Sequence, residues 1–274
     1  MSEQPGVRGS TWFKALTGQS LPMQGDPGSV LTADAKLGDD QARFLCVVPN
    51  PQARFPCARR AEVGLEEAYT LATRVRQAVE QDEKEKRRPI IAIVDVKSQA
   101  YGRREETAAI FLAAATSADA YASARMKGHP VITLVVGQAI SGGFLTHGYQ
   151  ANRILAFDDS GVVIHAMHKE AAARITLRTV ADLDRLGHEI APLSYDIRDY
   201  ARLGLLHKLL HVENPDTPSQ ATVALVQKEL IEAVTDARAG SRDLSNRLNS
   251  EGARQMRRAG LRAHAQMEHE WATA

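Results

Sequence analysis

Pro130-Val-Ile-Thr-Leu-Val-Val-Gly-Gln-Ala-Ile-Ser-Gly-Gly-Phe-Leu-Thr-His-Gly148 is the stretch that decides the fold. Pro130 to Val136 is short, apolar and β-branched, as a strand buried on both faces requires. Phe144 to His147 reads as the first turn of a helix. A strand that bends through Ser141, Gly142 and Gly143 into a helix leaves several backbone N–H groups without intrahelical acceptors. Paired glycines remove the side chains that would keep a ligand from those donors. Such a bend suits an oxygen carrying negative charge: phosphate, carboxylate or enolate.

The same strand–loop–helix unit stands upstream. Pro89 to Val96 reads as a buried strand, Lys97 to Gly102 as a polar loop, and an Ala-rich helix runs from near Glu105 to about Lys127. Before it come a strand at Arg43–Val48, a Pro-rich loop to Pro56, and a helix from Leu65 to about Lys86. That helix places Leu65, Ala68, Tyr69, Ala72, Val75 and Val79 on one face. The charge run Glu80–Arg88 reads as its solvated end. Short strands follow at Arg153–Phe157 and Val162–His165, and beyond Lys169 nearly everything reads helical. The last helical region, Ser219 to Thr273, has a weak stop at Ala239-Gly240 and an apolar stripe at Val223, Val226, Leu230 and Val234.

Residues up to Leu37 are rich in Gly, Ser, Pro and Asp and read as an irregular arm. Repeated strand–helix units with short connections predict an α/β fold: a mostly parallel sheet, flanking helices and a C-terminal helical extension. The expected divisions are 1–37, 38–212 and 213–274.

Composition narrows the function. The 274 residues carry Lys+Arg 34 against Asp+Glu 33, a net charge of +1, so no global charge points to nucleic acid or a membrane surface. No run approaches the ~20 apolar residues of a membrane span, and Met1–Gly6 lacks a signal-peptide pattern. Cys46 and Cys57 are too few and too isolated to frame a metal site and read as ordinary thiols of a cytoplasmic protein.

Several chemistries compete for the glycine turn. A P-loop fails because no Gly-Lys-Ser/Thr follows. A dinucleotide fingerprint fails on the spacing of Gly137, Gly142 and Gly143. Ala139-Ile-Ser-Gly-Gly143 nearly matches a nucleophile elbow but lacks its first glycine, and no downstream Asp/Glu and His complete a triad convincingly. Two readings stay open: glycines that only let a helix pack closely on a sheet, and an oxyanion hole without a nucleophile. The Asp95–Gly102 loop leaves the same sheet edge, so Ser98, Gln99 and Tyr101 are its polar neighbours.

These residues also carry a resemblance. The turn Gly-Gln-Ala-Ile-Ser-Gly-Gly-Phe144, the loop Lys97-Ser-Gln-Ala-Tyr-Gly102, Ala151-Asn-Arg-Ile-Leu155 and Val162–Ile175 resemble the carboxyltransferase branch of the crotonase/ClpP-like superfamily. Within it the chain is similar to the gamma subunits of biotin-independent malonate decarboxylases, over roughly residues 40 to 212. Where carboxyltransferase α subunits have a Pro-Gly turn, this chain has Lys97-Ser98-Gln99.

The resemblance implies a crotonase-like ββα spiral and an obligate β subunit of related fold. The pair would convert malonyl-S-acyl carrier protein into acetyl-S-acyl carrier protein and CO2, through an enolate held in an oxyanion hole. The substrate would ride on a dephospho-coenzyme A-derived arm, with no biotin, metal or other cofactor on this chain, and malonate loading would belong to another subunit. Gly142 and Gly143 are the candidate donors; Ser141 and Gln99 would orient the acyl group, with Ser98 and Ile140 beside it. His165, His168 and Tyr101 are candidate proton donors, and each histidine also reads as a packing residue, as does His147. The C-terminal arginines Arg238, Arg242, Arg247, Arg254, Arg257, Arg258 and Arg262 suit either a phosphate-bearing arm or acidic carrier, or a solvated helix. Two alternatives remain: an α-type half of a biotin-dependent carboxyltransferase, and a scaffold subunit whose turn is idle.

Overall fold

The computed structural model describes residues 7–82 and 86–273. The expected signal-peptide-free stretch Met1–Gly6 and part of the charge run Glu80–Arg88 lie outside the described residues.

The quoted stretch forms β6 (Val131–Ile140), then α5 (Ser141–Thr146). The strand is buried for almost all its length and pairs in parallel with β4 (Ile90–Val96) and β7 (Arg153–Phe157). Burial on both faces explains why these strands read as unbroken apolar runs. The sheet order is β1 (Val30–Leu37), β2 (Asp40–Val47), β4, β6, β7 and β9 (Lys208–Leu210), with β8 (Val163–His165) paired to the end of β6. Only β1 (Val30–Leu37) and β2 (Asp40–Val47) pair antiparallel, so the sheet is mostly parallel as expected.

The register of β4 on β6 shifts between Val94 and Val96, at Asp95. The Asp95 carboxylate accepts the Gln138 N–H at 3.0 Å and the Gly9 N–H at 3.2 Å. That shift carries β6 past its neighbour to Ile140, where β8 takes over the pairing.

Helices α2 (Leu65–Gln81) and α4 (Ile110–Met126) pack together on the sheet, and α1 (Val7–Thr17) and α9 (Gln220–Ala239) pack there with each other. A second sheet pairs β3 (Glu62–Val63) with β5 (Ser98–Gln99) in parallel. It fixes the loop after β4 beside α5.

Three expectations need correction. The N-terminal arm is not irregular over its described length, because it contains α1 and β1. Trp12 and Phe13 are fully buried, and the Trp12 ring meets Phe157 edge-on at 4.7 Å. Tertiary burial, which a Gly/Pro-rich composition conceals, orders this segment. The Ala-rich helix is broken. It divides into α3 (Arg103–Thr107) and α4 around Ala109, whose φ of 59° lies in the left-handed region. The region beyond Lys169 is not all helical either: β9 (Lys208–Leu210) closes the sheet edge on β7. Before it stand α6 (Lys169–Ile175), α7 (Val180–Glu189) and α8 (Ile197–Arg202).

Helix α9 is the stripe read from Val226, Leu230 and Val234, all buried, and it ends at Gly240 as the stop signal implied. Ser219 caps it by accepting the Thr222 N–H at 3.1 Å. Ser219→Ala should cost about 1 kcal/mol and lower the melting temperature by a few degrees, as read by thermal unfolding. After α9 come α10 (Asn246–Asn249), α11 (Glu251–Met256) and α12 (Arg258–Thr273), the last with no buried residue. Both cysteines are free thiols.

Candidate active site

The bend begins at Ser141, whose φ of 57° is left-handed. An L-residue in that region costs on the order of 1 kcal/mol, so the surroundings must hold it. They do so from three sides. Thr146 Oγ1 donates to the Gly142 carbonyl at 2.6 Å, and Ser117 Oγ of α4 donates to the Thr146 carbonyl at 2.9 Å. His147, fully buried, bridges the Ile93 carbonyl on β4 through Nε2 at 3.0 Å and the Tyr121 hydroxyl on α4 through Nδ1 at 2.9 Å. Nε2 therefore carries the proton and Nδ1 accepts from Tyr121. Burial pulls the His147 pKa down to about 4, so the ring is neutral at pH 7. As expected, His147 packs in the core.

The two glycines do different jobs. A side chain at Gly143 would place Cβ 2.5 Å from the Ser98 carbonyl carbon and oxygen and 3.0 Å from the Gln99 nitrogen. Gly143 thus sits where α5 presses on the β5 backbone, as the packing reading required. Gly142 faces the Gln99 carboxamide instead, with a hypothetical Cβ 3.0 Å from Oε1 and 3.1 Å from Cδ. The Gly142 N–H donates to Gln99 Oε1 at 2.9 Å, and Ser98 Oγ donates to the same oxygen at 3.2 Å. A backbone amide and a hydroxyl thus converge on one carbonyl oxygen.

Ser141 and Gly142 line a cavity of about 370 Å³ with Phe144, Leu145, Tyr149, Ile164, His165, Tyr200, Leu203, Leu205 and Arg257. Its walls are mainly apolar. Two larger cavities lie away from the bend. One, about 560 Å³, is flanked by Arg8, which is already ion-paired to Asp159 at 2.6 Å and Asp216 at 2.8 Å. The other, about 710 Å³, lies against Tyr69 and Asn50.

Of the residues expected at the site, Ser141, Gly142 and His165 line the cavity, and Ser98 and Gln99 stand behind Gly142. Gly143 and Ile140 are buried beside it without lining it. Tyr101 is 65% exposed and outside it. His168 Nε2 lies 3.0 Å from the Lys97 carbonyl, a contact that ties α6 to the β4–β5 loop. His165 stacks on Tyr195 with centroids 3.8 Å apart, and burial holds its pKa below the ordinary histidine value. Its Nδ1 lies 3.1 Å from the Met167 N–H and 2.9 Å from the Met167 carbonyl, which leaves Nε2 for the cavity.

Sequence reasoning missed Tyr200 and singled out Arg257 only within a basic run. Tyr200 follows the Asp196 cap, which accepts the Arg198 N–H at 2.8 Å, and it lies in a short amphipathic turn between buried Ile197 and Leu203. Its hydroxyl makes no hydrogen bond among the described residues, and burial raises its pKa to about 12. Of the arginines in the basic run, Arg238 pairs with Asp40 at 2.7 Å and Arg242 donates to the Met126 carbonyl at 3.1 Å. Arg247 donates to the Tyr149 and Ala151 carbonyls. These three are fastened into the fold rather than offered to a ligand. Among the described residues no His/Cys/Asp/Glu group is placed to hold a metal ion, and no helix is long and apolar enough to cross a membrane.

Comparison with known proteins fits this geometry. A family model for the malonate decarboxylase gamma subunit matches residues 58–267. The chain is 49% identical, over 96% of its length and 99% of the other's, to a chain of a Pseudomonas malonate decarboxylase hetero-tetramer solved in complex with coenzyme A, with a TM-score of 0.91. It is 34% identical over 165 residues to the malonyl-S-ACP:biotin-protein carboxyltransferase MADD of Malonomonas rubra. That match covers 58% of this chain and 56% of the relative, so the chain spans little more than half of that protein. A transcarboxylase 12S chain, 16% identical with a TM-score of 0.64 over 86% of this chain and 41% of its own, shares the fold, which is crotonase-like as expected. With its bend and most of its length inside the matched region, the chain belongs to the malonate decarboxylase gamma subunit family.

Proposed function

We propose that this chain acts with a β-type subunit of related fold to decarboxylate a malonyl thioester borne on an acyl carrier protein, giving the acetyl thioester and CO2. The bond between the α-carbon and the carboxylate breaks, CO2 leaves, and the electron pair passes to the α-carbon and the thioester oxygen. A proton then adds at the α-carbon. Donors that strengthen as charge reaches that oxygen lower the barrier rather than merely bind substrate.

The observation that carries this reading is the convergence of the Gly142 N–H and Ser98 Oγ on one oxygen just behind Gly142 of the cavity wall, 2.9 and 3.2 Å away. That oxygen belongs to Gln99, whose carboxamide stands where the thioester oxygen would sit and swings aside for it. The mainly apolar walls favour loss of the carboxylate's water shell. The Tyr149 and Tyr200 phenols and the His165 ring are among the cavity groups able to pass a proton to the α-carbon, a far stronger base than phenolate or imidazole. The similarity to a hetero-tetrameric Pseudomonas enzyme supports the partner, and its coenzyme A complex supports a thioester on a nucleotide-derived arm. Biotin has no part in this scheme.

The Gly142–Gln99 hydrogen bond favours a second reading, in which the turn is internally satisfied and the partner subunit does the chemistry. Gln99→Ala separates the two in the co-purified complex, assayed by CO2 release from malonyl-carrier protein. If the carboxamide is a placeholder, removing it lowers KM a few-fold and leaves kcat within about threefold, since one neutral hydrogen bond of ~1 kcal/mol no longer competes. If the turn is idle, neither constant moves.

A further inference from the structure

Among the described residues, the cavity wall holds one permanent cation. Arg257 lies half-buried in its wall, and its Nε donates to the Leu203 carbonyl at 2.9 Å. No carboxylate among the described residues pairs with it, so Nη1 and Nη2 are free to bind side by side to an anion.

Its position is built rather than incidental. Helix α11 meets the turn after α8 through two glycines with no room for a side chain. A Cβ on Gly252 would meet the Arg202 carbonyl oxygen, and one on Gly204 would lie 2.7 Å from the Ala253 Cβ of α11. Gly204 also has φ +85°, which favours glycine. This close approach sets the residue after α11 beside Leu203, aimed at the same cavity that Gly142 lines.

The geometry points to Arg257 as the residue that recognises the substrate's free carboxylate. This rests on the reading of the bend as the thioester site. A malonyl thioester carries its carboxylate two carbons from the thioester carbonyl, whereas the phosphate of a carrier arm lies at the far end of a long chain from it. A cavity of about 370 Å³ with both Gly142 and Arg257 in its wall fits the first anion and not the second. In apolar surroundings a guanidinium–carboxylate pair is little weakened by water. Once CO2 has left, the acetyl product offers Arg257 nothing. The pair therefore selects malonyl over acetyl thioester and favours product release. Because it steadies the ground-state carboxylate, it serves recognition more than turnover.

The test uses the intact complex and compares Arg257→Leu and Arg257→Lys with wild type. Binding of malonyl-carrier protein is read from KM, binding of acetyl-carrier protein from product inhibition, and assembly from co-elution and thermal unfolding. Arg257→Leu should weaken malonyl binding roughly 10- to 100-fold, the worth of a charged hydrogen-bonded contact, with acetyl binding unchanged and kcat altered less than KM. Arg257→Lys should recover part of the loss. If Arg257→Leu fails to assemble, Arg257→Gln gives the same comparison. Equal loss for both thioesters, or loss for neither, overturns the assignment. Failure of the underlying reading shows separately, as a wild-type complex that releases no CO2 from the malonyl thioester.

Discussion

Gly142→Ala should lower decarboxylation by roughly a hundredfold or more while the complex keeps its assembly and melts within a degree or two of wild type. The backbone at Gly142 is not left-handed, so alanine fits its conformation. The new methyl would stand 3.0 Å from Gln99 Oε1, the end of a side chain that can rotate away. Stability therefore changes little, but the methyl crowds the place meant for the thioester oxygen. Gly143→Ala has the opposite signature. Its methyl would meet Ser98 backbone atoms at 2.5 Å, and no rotamer change relieves a clash with the main chain. Strand β5 must shift, at ~1–3 kcal/mol as for other overpacked sites, and activity falls with the melting temperature. CO2 release and thermal unfolding of both variants check the pair. Full activity in Gly142→Ala would remove the bend from catalysis.

The second large effect is on acid stability. The folded-state pKa of His147 is about 4 against an ordinary 6.5, because the ring is fully buried. The unfolded chain thus binds a proton more readily than the folded one. Stability is complete above pH 6.5 and is lost as pH falls toward 4. The full shift is worth roughly 3 kcal/mol. Buried His129 and partly buried His165 and His207, also lowered by burial, add to the same acid slope. His147→Gln isolates one contribution, since an amide can still donate to the Ile93 carbonyl but does not titrate. Denaturant unfolding at pH 7.5 and pH 4.5 should show a smaller acid loss in the variant, by about 2–3 kcal/mol. An identical loss in both would show that His147 titrates normally.

The central βα units were legible because each of their signals is local. Strands β4, β6 and β7 are continuous apolar runs, and Ser141-Gly-Gly143 is a bend that few other residues could make. The N-terminal helix was not, because its periodicity is short and its ordering comes from Trp12 and Phe13 meeting Phe157, far along the chain. Strand β9 escaped for a similar reason: Lys208–Leu210 is too brief to show alternation, and only pairing with β7 makes it a strand. At the site, the position of the loop after β4 beside the glycine turn is legible, because both leave the same sheet edge. The distinct roles of Gly142 and Gly143 depend on which way each Cα hydrogen points, and sequence does not encode that openly. Tyr200 and Arg257 reach the cavity from α8 and from just past α11, so nothing near the bend announces them.

The most direct test is a crystal structure of the assembled complex with a malonyl thioester analogue that cannot lose CO2, a sulfonate replacing the carboxylate. The account predicts the thioester oxygen about 2.7–3.1 Å from the Gly142 nitrogen, with the Gln99 carboxamide turned out of that position. Gln99 Oε1 still bonded to Gly142, with the thioester bound only against the partner subunit, would contradict it.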